Sequence, residues 1–334
     1  MLRTRGLSIK NLDEGRRGTI RRLINRLHHE RGISLGDIAK LIGNKTSGYT
    51  SWLCKKLEIN VRPFEESRLK AIKEKRRKYE RRPFDGTDQD KAYLLGLRHG
   101  DLSVSRPWRG VIRVSTSSTH PALAELFTKL FNHYGHVYQL PRYKEDMQTY
   151  EWNLQVILDD SFEFMFEDFT QTASWVQQDR STLLEYLSGL LDADGAIITT
   201  RDQDGKVSLF LDYYNSNKSI LEWVKGEIKK LGYFCSIRRN KKRGARTRKY
   251  GIIHRTDYWQ FSTYGMNNIQ GLIAKLHPRH AEKVRRQAIA LSVSKGQDYS
   301  LVQKQIEALR AEIRQGVQDY IRKAELQHKR THPI

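Results

Sequence analysis

Two nine-residue runs, ninety-three positions apart, each place an acid where an apolar helix should end. They are Leu94–Leu102 and Leu187–Gly195, with a glycine in the third position (Gly96, Gly189) and an aspartate in the eighth (Asp101, Asp194). The end of a helix is the negative end of its dipole, so a carboxylate there is disfavoured unless something compensates it. Two such helices side by side would set two carboxylates together, and one would protonate unless a divalent cation bound. Oxygen ligands alone favour Mg²⁺, Mn²⁺ or Ca²⁺ over zinc. Such an ion can polarise a phosphodiester and activate water. Glycine costs about 1 kcal/mol inside a helix, and close approach of two backbones is a good reason to place one at each matching point.

The bulk charge points the same way. Lys and Arg number 60 against 38 Asp and Glu, a net charge of +22 over 334 residues. An excess of that size implies a polyanionic partner, most simply nucleic acid. No apolar stretch is long enough to span a membrane and no secretory leader is evident. The two cysteines, Cys54 and Cys235, lie far apart, which excludes a disulfide framework or a cysteine zinc site and fits a cytoplasmic location.

Several elements must position the acids. Ile20–Glu30 has helical periodicity, Ser34 is a natural N-cap for Leu35–Ile42, Gly43 stops that helix, and a further helix is expected around Ser47–Leu57. This is a loose helix-turn-helix pattern whose second helix would offer Ser47, Tyr49, Thr50 and Lys55 to a major groove. An ordinary three-helix bundle would carry the same periodicity. Residues 63–88 read as a basic linker suited to tracking phosphates. Beyond it, helix, strand, helix and a strand pair recur in the same order over 89–180 and 181–295, an internal duplication with a pseudo-two-fold axis. The offset grows from 93 to 97, which places a four-residue insertion in the first hairpin of the second copy. Residues 296–334 form a basic tail with a helical apolar stripe beginning at Leu301, expected to pack on the body. The fold class is therefore α+β: two duplicated halves, a small all-α domain over 1–62, and a C-terminal helix.

Leu187–Gly195 resembles the signature of the LAGLIDADG homing endonucleases, agreeing at seven of nine positions, and Leu94–Leu102 resembles a diverged first copy. The resemblance implies two αββαββα-type halves joined through the two helices, with four-stranded saddles reading a long, asymmetric double-stranded DNA site. It implies a monomeric, metal-dependent endonuclease with Mg²⁺ as cofactor, Mn²⁺ able to replace it, and Ca²⁺ binding without supporting cleavage. Asp101 and Asp194 become the metal-binding pair, with the carbonyls of Leu102 and Gly195 as further ligands. Ser118 (or its neighbour Ser117) and Asn215 (or Tyr214), at the end of the second strand of each half, and Lys283 become the residues that order and polarise solvent. The first half has no lysine from Glu145 to Lys206, so unequal cutting of the two strands is expected. His99 and Leu102 replace the signature's sixth-position acid and terminal glycine. His99 is expected to compensate the helix dipole or sit at the edge of the core rather than bind metal, and Asp192 to make a structural hydrogen bond. Arg142 and Lys144 in one hairpin, and Arg238, Arg239, Lys241, Lys242, Arg243, Arg246, Arg248 and Lys249 in its counterpart, are candidate DNA contacts. Two other activities fit the same scaffold, a DNA-binding regulator without catalysis and a maturase bound to intron RNA.

Overall fold

The structure, a computed structural model, describes residues 13–41, 47–61, 63, 66, 79–108, 110–246, 251 and 253–331. It divides into two compact units, residues 1–78 and 79–334.

In the first unit, Asp13 caps helix α1 (Glu14–Asn25) by accepting from the Arg16 amide at 2.8 Å. A π-helical turn over Arg26–Glu30 follows, then α2 (Leu35–Leu41) and α3 (Ser47–Lys56). Ser34 caps α2 as its sequence position implies, accepting from the Asp37 amide at 3.1 Å. The apolar faces meet in a small core of Ile24, Leu53, Cys54, Leu57 and Ile59. Thr50 is fully buried, so it cannot face a groove. Thr50 stands one turn before Cys54 and so shares the inward side of α3. Lys55 is exposed and Tyr49 is half-buried against Trp52. The turn at 42–46 and the Ser47 side chain lie outside the described residues.

The second unit is built twice over. The first copy runs α4 (Asp88–Gly100), β1 (Ser103–Trp108), β2 (Val111–Ser118), α5 (Pro121–Phe131), β3 (Val137–Lys144), β4 (Thr149–Leu158), a 3₁₀ stretch over Asp160–Phe166 and α6 (Phe169–Val176). The second runs α7 (Arg180–Asp194), β5 (Gly195–Arg201), β6 (Val207–Asn215), α8 (Lys218–Lys230), β7 (Cys235–Lys241), β8 (Tyr258–Thr263), α9 (Met266–Ile273) and α10 (Ala281–Ser292). Each copy holds one antiparallel four-stranded sheet, ordered β1-β2-β4-β3 and β5-β6-β8-β7. Helix faces cover one side of each sheet and give each half its own apolar core.

Several boundaries differ from the sequence reading. The linker ends sooner than residue 88, because Tyr79 stacks on His136, Phe84 packs into the first core and Thr87 caps α4 with a reciprocal Asp90 bond. Within the linker, 67–78 lies outside the described residues. Strands β1 and β5 escape a reading by alternation. β1 contains Pro107 and is largely exposed at a sheet edge, whereas β5 begins directly at the helix end, with no turn residues to announce it. The four-residue insertion does lie between β5 and β6.

Helix α11 (Ser300–Thr331) straddles both halves. Val302, Ile306 and Leu309 enter the second core, while Ala324 enters the first and Trp152 donates to the Tyr320 carbonyl at 3.0 Å. Its buried stripe starts at Val302; Leu301 remains 74% exposed. Among the described residues no helix is long and apolar enough to cross a membrane.

Candidate metal centre

The site is set by how closely α4 and α7 approach. A Cβ built on Gly96 would lie 2.1 Å from the Tyr186 carbonyl oxygen, and one on Gly189 would lie 2.0 Å from that of Tyr93. Only a residue without a side chain fits at either crossing point. Further down, Gly100 faces Ala193 and the Asp194 carboxylate in the same way. Asp101 is the C-cap of α4 and Asp194 the last residue of α7, and each chain passes almost at once into the first strand of its sheet. The two acids therefore meet at the foot of the helix pair, at the head of both sheets.

Their electrostatics are strained by design of the backbone. Burial first, then the neighbouring Asp101, pushes the Asp194 carboxyl up to about 7; Lys283 and a hydrogen bond from Asn215 oppose this. Desolvation by the surrounding protein also pushes the Asp101 carboxyl up, again against Lys283, even though the residue keeps an exposed edge. The helix dipoles add negative potential at the same place. A divalent cation would relieve all three costs, so the donor set fits a hard cation. Among the described residues no cluster of three or more acid, histidine or cysteine ligands exists. Further ligands would be water or substrate oxygens, the habit of Mg²⁺.

A pH dependence follows. An ordinary aspartate titrates near 4. Between about 4 and 7 the folded chain therefore binds more protons at Asp194 than the unfolded chain does. Stability should fall as pH rises through that window when divalent cations are chelated. Calorimetric melting points at pH 5 and pH 8 test this, with Asp194→Asn as reference. If the variant shows the same pH slope as the parent, Asp194 is not the group responsible.

Asn215 ends β6 and donates through Nδ2 to Asp194 Oδ2 and to the His99 carbonyl, both at 3.1 Å. It ties the second acid to the end of the opposite helix. Ser118 is its counterpart, but its shorter side chain turns to the His120 backbone, accepting from that amide at 2.8 Å. Lys283 lies half-buried on α10, and its ammonium donates to the carbonyls of Leu191 at 2.6 Å and Gly195 at 2.5 Å. It satisfies the orphan carbonyls at the end of α7. The Gly195 carbonyl, one of the sequence-derived ligands, is thus already paired with a cation. The Leu102 side chain is buried in the first core. Burial lowers the Lys283 pKa, and Asp192, Asp101, Glu282 and Asp194 counter it.

Asp192 has the structural role its position implied. It accepts from the Tyr93 hydroxyl at 2.6 Å and from the amides of Arg279 and His280 at 2.5 and 3.1 Å. His99 sits between the Tyr186 hydroxyl and the Glu167 carbonyl, and burial takes its pKa down to about 4. It is neutral, so it packs at the core edge without offsetting the helix dipole. Sequence reasoning missed the Tyr93 and Arg279 partners, which come from elements remote in the chain.

The basic candidates fall on the two hairpins. Arg142 is exposed on β3, and Lys144 is half-buried 3.6 Å from the buried Glu151. Arg238, Arg239 and Lys241 are exposed along β7, followed by exposed Lys242, Arg243 and Arg246. Arg239 lies 3.6 Å from Asp257. Arg248 and Lys249 lie outside the described residues.

Two antiparallel sheets, a glycine-tight helix pair and paired acids at its foot define the class of scaffold. Residues 181–264, most of the second copy, match the family model of the LAGLIDADG-like domain. The chain thus contains a LAGLIDADG-like domain, as the Leu187–Gly195 run implied. Similar solved structures include the homing endonuclease I-DmoI in complex with DNA and Ca (18% identity, 57% of this chain and 89% of that one, TM-score 0.37). I-WcaI bound to its DNA recognition sequence gives 14%, 59%, 86% and 0.39, and a point mutant of I-SmaMI gives 9%, 69%, 97% and 0.38. No curated protein matches the chain.

Proposed function

We propose that the chain is a site-specific double-stranded DNA endonuclease that works as a monomer with Mg²⁺. The observation that carries this is the Asp101–Asp194 pair, two carboxylates brought together at the foot of the glycine-tight helix pair, Asp194 half-buried and Asp101 open to solvent, with the Asp194 carboxyl raised in part by its neighbour. Two acids held side by side where both helix dipoles end need a cation to offset their repulsion. When bound, a divalent cation supplies polarisation of the scissile phosphate and a more acidic water. Asn215 fixes the Asp194 carboxylate, and Lys283 fixes the carbonyl end of α7 so that the acid keeps its place. The exposed cations of β3, β7 and the turn after β7 would hold phosphates, with the sheets lying in the major groove.

Cleavage of a randomised duplex-DNA library with Mg²⁺, beside the Asp101→Asn/Asp194→Asn double variant, tests the reading. Discrete products from the parent chain alone are expected. Selected DNA retained by both forms, with no cutting by either, would replace the nuclease with a DNA-binding protein.

A further inference from the structure

The open face of the second sheet holds a groove of about 510 Å³, and a buried acid lies at its floor. Asp212 on β6 is only 3% exposed. A carboxylate there is repelled by any polyanion laid across the sheet, so it needs a function of its own. Its bonds show where its charge is spent. Oδ1 accepts from Ser262 Oγ at 2.6 Å, and Oδ2 accepts from the Tyr214 hydroxyl and from Gln260 Nε2, each at 2.9 Å. Because the Gln260 amide must give its NH₂ to Asp212, its oxygen is forced to the other side. That oxygen accepts from Arg238 Nε at 3.2 Å and Nη2 at 3.1 Å. Arg238 is exposed and lines the groove. Two of the five guanidinium N–H donors go to Gln260, and those that remain suffice for a bidentate contact.

The first sheet lacks this device. Ser103, two residues after Asp101, pairs with Ser115, and Ala196, two after Asp194, pairs with Asp212. Ser115 thus stands where the second half has Asp212. Following the ladders across, Asn153 opposite Leu140 corresponds to Gln260 opposite Arg238. The first half offers a serine, an asparagine and an exposed leucine in place of the acid, the glutamine and the arginine.

We propose that Asp212, acting through Gln260, positions Arg238 to read a guanine in the half-site under the second sheet, a contact without equivalent in the other half-site. This rests on the DNA-binding reading above. Asp212 and Gln260 are positioning residues; Arg238 makes the contact. Fixing the guanidinium before binding removes the rotamer entropy that a free arginine would lose on contact. Guanine, with acceptors at O6 and N7, is the base that a bidentate arginine selects.

The test takes the full-length chain through selection on randomised duplex DNA, then measures affinity for duplexes carrying each of the four base pairs at every position of the selected site. The parent should prefer G·C at one position under the second half by about tenfold or more. Arg238→Ala should remove that preference and leave the other positions unchanged. Gln260→Ala and Asp212→Asn should weaken the same preference, and Gln260→Ala should add nothing in the Arg238→Ala background. A uniform loss of affinity at all positions, or an unchanged profile in a parent that does select a site, would overturn the assignment. Failure of the parent chain to select any DNA would instead defeat the DNA-binding reading and this inference with it.

Discussion

Asp101→Asn and Asp194→Asn should each lower the rate of duplex cleavage by about a thousandfold or more while leaving affinity for the same DNA intact. Several kcal/mol of transition-state stabilisation by a bound cation correspond to a factor of that size. Asparagine keeps the shape of aspartate but removes the charge that holds the cation, and Asn215 could still bond the new side chain at position 194. Affinity should hold or rise, because one negative charge beside the phosphates disappears. Single-turnover cleavage and equilibrium binding on one duplex separate the two effects. A variant that cuts at the parental rate would remove that acid from the chemistry. A variant that loses binding would show the acid to be part of the scaffold.

The paired acids were legible because the signal is local. A glycine in position three and an acid in position eight of an apolar run fix both the close approach and the place of the charge, and the run occurs twice. The duplication made the two sheets and their helices readable even though β1 and β5 left no alternation of their own. Thr50 shows the limit of a pattern in a short helix, where the inward and outward faces differ by a single residue. What stayed hidden is chemistry assembled across the chain. Tyr93 and Arg279 meet Asp192 from opposite directions, and Asp212, Gln260 and Arg238 come from three strands. A lone Asp212 inside the apolar strand Val207–Asn215 gives no hint that its partners lie some fifty residues on. Lys283 was located by analogy of position, but its bonds to the α7 carbonyls depend on helix α10 crossing that helix end.

Gly189→Ala should destabilise the fold by about 3 kcal/mol or more, the upper range for overpacking a tight interior. The sign is the informative part. In an exposed helix the same change would gain up to about 1 kcal/mol, because alanine is the better helix former. Here the added carbon would stand 2.0 Å from the Tyr93 carbonyl oxygen and 3.0 Å from the Leu97 amide nitrogen, backbone atoms with no rotamer to escape into. The helices would have to part, and Gly96, which meets Tyr186 and Leu190 in the mirror arrangement, should respond in the same way. Gly226 on α8 supplies the control. Nothing lies within 4 Å of a Cβ built there, so Gly226→Ala should stabilise. Denaturant unfolding of the three variants decides the matter. A Gly189→Ala protein as stable as Gly226→Ala would mean that the two helices can separate at little cost. In that case the crossing would no longer explain why Asp101 and Asp194 are held together against their repulsion.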